Sequence, residues 1–253
     1  MGGRAREPAA GPEVHRTDRR YAGPMRIDVW SDISCPFCRI GLTNLATALE
    51  GFEHADEVTV ALRAFLLQSD LEGPVTDRPY AQWLAEHKSV APSDAEEMFA
   101  NISGIGEGIG LDFAWDRVIP APTGDAHRLV YLAHDVDAEN GTADGAAPLA
   151  LRVHLALHRA YFAEGRDVSD RSVLEGIGAE CGLPADRIAD MYATGRHDEA
   201  ATADFAAGMQ MGLQGVPAFV FDGKYLVQGA QPAEAMAQAL QTAWEGPEAT
   251  DAE

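Results

Sequence analysis

The stretch Ile27-Asp28-Val29-Trp30-Ser31-Asp32-Ile33-Ser34-Cys35-Pro36-Phe37-Cys38 constrains the fold more than any other, because it runs a short apolar strand pattern straight into two of the chain's three cysteines. From Met25 to Trp30, β-branched and aromatic residues alternate with others, the pattern of a strand. Beyond Cys38, the residues Ile40, Leu42, Leu45, Ala46 and Leu49 repeat at helical spacing. The cysteine pair therefore sits where a strand hands over to a helix.

That position has chemical consequences. The thiolate is the nucleophile, and the first turn of a helix presents unpaired N–H groups and the positive end of the helix dipole. Cys35 feels this field most, while Cys38, one turn further in, is less exposed and suited to resolving a mixed disulfide. Ser34 or Asp32 is expected to cap the helix, with Pro36 near its first position, where a missing N–H is harmless. The competing reading is half a zinc knuckle, which needs four ligands and normally a second close pair. Only Cys181 remains, late in a predicted helix and without a neighbouring cysteine, so redox chemistry is favoured over zinc and no metal site is expected. Cys181 is expected to be buried for structural reasons.

A second anchor lies near the other end. Gly215-Val216-Pro217-Ala218-Phe219-Val220-Phe221, then Asp222-Gly223, then Lys224 to Gly229, reads as a β-hairpin that opens on a proline and turns on Asp-Gly. Together the two anchors resemble the thioredoxin superfamily, in which a cis Val-Pro or Thr-Pro faces a Cys-x-x-Cys motif. More narrowly, Asp28 to Cys38 with Ile40-Gly41, Asp125 to Leu129, Tyr161 to Asp167, Gly215 to Phe219 and Gly229 to Gln231 fall in an order that resembles the FrnE-like branch of the DsbA family, spanning Met25 to about Trp244. The resemblance implies a thiol-disulfide oxidoreductase or protein disulfide isomerase with Cys35 and Cys38 as the catalytic dithiol. Val216 and Pro217 would position the substrate chain by strand-like pairing. Pro36 and Phe37 would lie against the substrate, and His127 would contact the cleft from the helical domain. A His between the cysteines would add positive charge beside the thiolate, as in the strongly oxidising members. Phe37 cannot, so a weaker oxidant than the DsbA extreme of about −120 mV is expected.

The fold expected is α/β: a thioredoxin-like unit interrupted by an α-helical insertion. After the Cys38 helix, which should end near Gly51, Glu57 to Leu67 reads as a second strand, parallel to the first through a crossover. No convincing strand follows until Pro217. The span from Cys35 to Pro217 far exceeds a thioredoxin unit of about 100 residues, so most of it is inserted. Residues 25–75 and 205–245 are assigned to the split thioredoxin-like domain and 76–204 to the helical insertion. Helices are expected over Tyr80 to His87, Ser93 to Ile109, Asp125 to Asp137, Ala146 to Glu164, from a Ser169 or Asp170 cap to Gly182, from Pro184 onward, and over His197 to Met211. Residues 1–24 are read as a disordered leader and 246–253 as a disordered acidic tail.

Two other patterns are weighed and set aside. His154 and His158, four apart on a helix, could share a metal, but two ligands do not define a site and they are read as helix-surface histidines. Gly104-Ile105-Gly106-Glu107-Gly108-Ile109-Gly110 follows a helix and no strand, which is the wrong context for a phosphate loop.

With 19 basic against 40 acidic residues and a formal charge of −21, neither nucleic acid nor an anionic membrane is an expected partner. No apolar run reaches the roughly 18 residues that span a bilayer, and Met1 to Pro24 holds no apolar signal core. A cytoplasmic location is therefore expected, where a Cys35–Cys38 disulfide would be transient and catalytic. The expected partners are protein or small-molecule thiols and disulfides. No cofactor is expected beyond glutathione as a co-substrate, and a homodimer through the helical insertion stays open. Two alternatives accompany the redox reading. The architecture also resembles 2-hydroxychromene-2-carboxylate isomerase and the kappa-class glutathione transferases, which use a single Ser or Cys, and retention of Cys38 argues against them. The other is a non-catalytic polypeptide-binding module.

Overall fold

A computed structural model describes residues 25–246. The expected leader, and all of the expected tail but Gly246, lie outside the described residues. A four-stranded mixed sheet has the order β2-β1-β3-β4. Strand β1 (Met25–Ser31) runs parallel to β2 (Val58–Ala64), in register from Met25 against Val58 to Ser31 against Ala64. Helix α1 (Pro36–Glu50) joins them. β3 (Ala218–Phe221) lies antiparallel to β1, with Trp30 opposite Ala218, and β4 (Tyr225–Gln228) closes the hairpin. The hairpin turns on Asp222 (φ 50°) and Gly223 (φ 68°), the paired positive dihedrals of a tight primed turn, which the Asp-Gly dipeptide adopts readily.

Alternation along β1 sorts its residues between two layers. Met25, Ile27 and Val29 face a core shared with Leu42, Leu45 and Leu49 of α1 and with Met236 and Leu240 of α9 (Ala233–Glu245). Trp30 points the other way, into a smaller cluster with Phe65, Leu213, Ala218 and Val220. Its indole Nε1 donates to the Asp204 carbonyl, 2.9 Å away, on α8 (Ala200–Gln210).

Between β2 and β3 the described elements are helical: α2 (Tyr80–Lys88), α3 (Pro92–Glu107), α4 (Gly124–Asn140), α5 (Leu149–Arg159), α6 (Arg171–Cys181), α7 (Ala185–Thr194) and α8. α5 continues into a wider π turn over Ala160–Glu164 that stops at Gly165. Asp170 caps α6 as the sequence suggests, its carboxylate accepting from the Ser172 and Val173 amides. The Gly104–Gly110 run forms the last turn of α3 and the residues that follow it. α8 begins three residues later than the pattern predicts, because His197 takes a left-handed backbone (φ 66°) outside the helix and its Nε2 lies 2.8 Å from Asp135.

The outer edge of β2 would expose unpaired amides. α4 covers it: the Leu62 N–H donates to His134 Nε2 and the Ala64 N–H to the Tyr131 hydroxyl, each at 3.2 Å. Tyr131 in turn donates to Asp204 at 2.7 Å, Arg63 reaches Asp204 at 3.3 Å, and Arg63 also holds the buried Asp28 at 3.0 Å. This polar chain ties α4 and α8 to the sheet. The buried apolar cluster is likewise continuous from the sheet into α4, α5 and α6.

Two expectations about exposure fail. His154 and His158 are both fully buried, not on a helix surface. They continue the row Ala150, His154, His158, Phe162 beside Val153, Leu157 and Tyr161, while Arg152 and Arg159 take the wet side of α5. Cys181 is half-buried, so its packing is looser than a core cysteine's.

Candidate active site

β1 ends at Ser31, three residues turn the chain, and Cys35 occupies the N-cap of α1 with extended dihedrals (φ −98°, ψ 114°) while Pro36 opens the helix. The expected side-chain cap from Ser34 or Asp32 is not made. The turn is closed instead by the backbone, the Cys35 N–H donating to the Asp32 carbonyl at 3.1 Å. Asp32 is turned inward, and its carboxylate accepts from the Ser34 amide (3.3 Å), the Ser34 hydroxyl (3.1 Å) and the Leu67 amide (2.6 Å).

Cys35 and Cys38 are free thiols, with Cys35 6% exposed and Cys38 sealed. The Cys35 thiol donates to the Val216 carbonyl, 3.6 Å away, and the Val216–Pro217 peptide is cis. Gly41 lets the two segments meet. A Cβ there would stand 3.0 Å from Pro217 Cγ and 3.1 Å from Phe219 Cζ, so these neighbours would have to give by a few tenths of an ångström. Beside the thiol, Pro36 is half-buried and Phe37 is 39% exposed, an apolar surface next to Cys35. Burial, together with the neighbouring Cys35, pushes the Cys38 thiol well above its ordinary pKa. Cys38 is thus held as a neutral thiol in the folded chain.

Behind the dithiol lie buried imidazoles. His127, on α4, brings Nε2 within 3.5 Å of Asp32 Oδ1, so it reaches the active-site turn from beneath and is itself only 2% exposed. Burial alone would raise the Asp32 pKa. The hydrogen bonding and charge of His127, the Leu67 amide and Thr123 outweigh it, and the carboxyl is held below its ordinary value. His154 Nε2 lies 2.9 Å from the Ser31 hydroxyl, and His158 Nδ1 donates to the Ile33 carbonyl at 3.1 Å. Burial, then the nearby Arg39 charge, drives the His158 pKa down to about 3. Burial and the other imidazoles lower that of His154 well below the usual range. Both rings are neutral. Arg39 itself is buried, bonded to the Asp112 carbonyl and stacked 4.9 Å above Phe113.

Of the residues singled out from sequence, Cys35, Cys38, Pro36, Phe37, Val216 and Pro217 converge at one end of the sheet, and His127 lies directly below. Ser31, Asp32, His154 and His158 are the residues sequence reasoning missed. The apolar row on α5 was the signal that placed both histidines inside. Among the described residues, no group of three or more His, Cys, Asp or Glu side chains is arranged to hold a metal ion. No helix among them is long and apolar enough to cross a membrane.

A family model of the DSBA-like thioredoxin domain matches residues 26–241. The chain belongs to this family. Among solved structures, this DSBA-like chain is 31% identical to a protein described as a DsbA oxidoreductase from Streptomyces coelicolor, covering 87% of this chain and 90% of that one, with a TM-score of 0.72. It shares its fold with the cytosolic disulfide reductase DsbM of Pseudomonas aeruginosa, solved with GSH (18% identity, 87% and 100% covered, TM-score 0.59). A 2-hydroxychromene-2-carboxylate isomerase has the same DSBA-like architecture (14% identity, 85% and 94% covered, TM-score 0.58). No curated protein matches the chain.

Proposed function

We propose that this DSBA-like protein is a thiol-disulfide oxidoreductase of FrnE-like type, working through Cys35 and Cys38 on protein or small-molecule disulfides. The observation that carries the reading is the pairing of a helix N-cap thiol with the Val216 carbonyl at 3.6 Å, while a second, sealed thiol waits one turn inside α1. Cys35 as thiolate attacks a substrate disulfide and expels one substrate sulfur, giving a mixed disulfide. Cys38 then attacks Cys35 Sγ, releases the second sulfur and leaves Cys35 and Cys38 oxidised. The substrate backbone pairs along Val216, and its side chains rest on Phe37 and Pro36. Glutathione is the proposed reductant that returns the pair to the dithiol, with the cytosol as the setting. DsbM, described as a cytosolic disulfide reductase and solved with GSH, shares the fold and supports this setting by analogy.

The test is insulin reduction by dithiothreitol with wild type, Cys35→Ser and Cys38→Ser. Catalysis lost in Cys35→Ser, and stalled as a mixed disulfide in Cys38→Ser, is the expected result. An inert wild type that binds glutathione, with Cys38→Ser behaving identically, would point instead to a glutathione-dependent isomerase. Polypeptide binding that survives both substitutions without turnover would point to a binding module.

A further inference from the structure

Helix α3 is more apolar than its packing requires. It buries Ala95, Phe99, Ile102 and Gly106, and the outer face of a surface helix is ordinarily polar. Here Met98, Ile105 and Ile109 widen the apolar face into solvent, at 38%, 51% and 37% exposure. Their spacing puts them on one strip along the helix and the turn that closes it. Val90, 44% exposed, stands just before the helix, where the surface dips into a groove between Ala85 of α2 and Pro92. These four are half of the eight large hydrophobics exposed among the described residues, so the exposure is concentrated and marks an interaction surface.

The strip ends beside the dithiol. The Leu111 N–H donates to the Gly106 carbonyl at 2.8 Å, and a Cβ on Gly106 would collide with Phe113, so the end of α3 lies flat on the segment that follows it. Phe113 carries the Arg39 guanidinium on its ring; Arg39 follows Cys38 in α1, and Phe37 is exposed at the start of that helix. The charge on α3 is of one sign. It holds Asp94, Glu96, Glu97 and Glu107 and no Lys, Arg or His. Asp94 sits on the strip one turn before Met98 and Glu97 borders it, both exposed and neither in an ion pair among the described residues. A second copy laid on the strip by two-fold symmetry would bring these carboxylates against their own kind. A cationic segment would pair with them.

Resting on the oxidoreductase reading, we propose that the α3 strip is an exosite for polypeptide substrates, taking an amphipathic segment with apolar residues on one face and Lys or Arg on the other. The apolar side chains cover Met98, Ile105 and Ile109, the cations meet Asp94 and Glu97, and the disulfide elsewhere in the same chain is held close to Cys35. A small disulfide reaches Cys35 without touching the strip and gains nothing from it.

The test uses a synthetic peptide whose one cysteine carries nitrothiobenzoate. About ten Gly and Ser residues, reaching about 18 Å on average, join it to a helix with Leu on one face and Lys on the other. Cys35 attacks the peptide sulfur and expels the coloured nitrothiobenzoate thiolate; Cys38 then bonds to Cys35 and releases the peptide as a thiol. At limiting concentration this peptide is expected to react about tenfold or more faster than one without the helix, and faster than one with Glu in place of Lys. The double variant Met98→Gln, Ile105→Gln keeps the charge. It is expected to abolish the gain while leaving the rate with dithiobis(nitrobenzoate) within about twofold. Asp94→Asn with Glu97→Gln is expected to erase the preference for Lys over Glu. A gain that survives the Gln pair, or a Lys preference that survives loss of both carboxylates, would overturn the exosite while leaving the oxidoreductase intact. Sedimentation as a dimer that Ile105→Gln dissociates would overturn it too, since a second copy would then cover the strip. No thiolate from either the peptide or the small disulfide would overturn the enzyme reading and the exosite's role in it. Fluorescence anisotropy of a labelled Leu-Lys helix without a disulfide reads docking separately from turnover, and equal binding by wild type and the Gln pair would rule the strip out.

Discussion

At the scale of single residues, the site is set by what each buried group is denied. His158 gives its Nδ1 proton to the Ile33 carbonyl and is shielded from water, so the folded protein holds it neutral down to about pH 3. The unfolded chain takes up that proton near pH 6.5. Below pH 6.5 the unfolded state therefore binds a proton the native state refuses, and stability falls as pH drops from about 6.5 to about 3, at roughly 1.4 kcal/mol per pH unit for such a group. His154 acts in the same direction. Urea unfolding across this range should show the slope, and His158→Gln should flatten it; an equal slope in the variant would mean the loss arises elsewhere. Asp32 titrates with the same sign but lower, because its carboxyl is stabilised as the anion. Asp32→Asn turns an amide group toward the Leu67 and Ser34 N–H donors, and is expected to cost about 1–3 kcal/mol in denaturant unfolding.

At the scale of elements, close approach decides function and edge coverage decides stability. Gly41 separates α1 from Pro217 by the width of a missing Cβ, so Gly41→Ala must push the Val216–Pro217 segment back or displace Phe219. Insulin reduction is expected to fall by about tenfold with little change in melting temperature, since small misplacements at a reacting centre are expensive. Tyr131→Phe strips the hydroxyl that serves both the Ala64 amide and Asp204, and should lower unfolding free energy by about 1–3 kcal/mol without touching turnover. Much of this level is legible in sequence. Strand alternation, the Pro36 and Gly51 boundaries of α1, the Asp170 cap and the Asp222-Gly223 turn are local signals, and the structure places elements where they point. What was hidden depends on tertiary partners. Asp32 looks like a helix cap until Leu67, three residues past the end of β2, brings its amide to the carboxylate. His154 and His158 look like surface pairs until Ser31 at the end of β1 and Ile33 in the turn after it meet their rings. A π turn at Ala160–Glu164 has no periodic signature in the residues that form it.

At the scale of the whole molecule, a dithiol rimmed by Phe37 sits on a chain of formal charge −21. Such a field attracts cationic substrates and repels anionic ones, and salt screens it over about 10 Å at 0.1 M. A disulfide peptide carrying lysines should be reduced faster than its glutamate counterpart at low ionic strength, with the gap closing as salt is added; a salt-independent ratio would show that the bulk charge does not reach the site. The continuous core from sheet into helices also predicts that activity and global structure are lost together on heating.

The most direct measurement is equilibrium titration of the reduced chain against glutathione redox buffers, followed by mass mapping of the cysteines. A reversible two-electron transition that joins Cys35 to Cys38, at a potential more reducing than about −120 mV, is the predicted result. Titration as a single glutathione adduct with Cys38 still a thiol, or no transition at all, would contradict a Cys35–Cys38 redox centre.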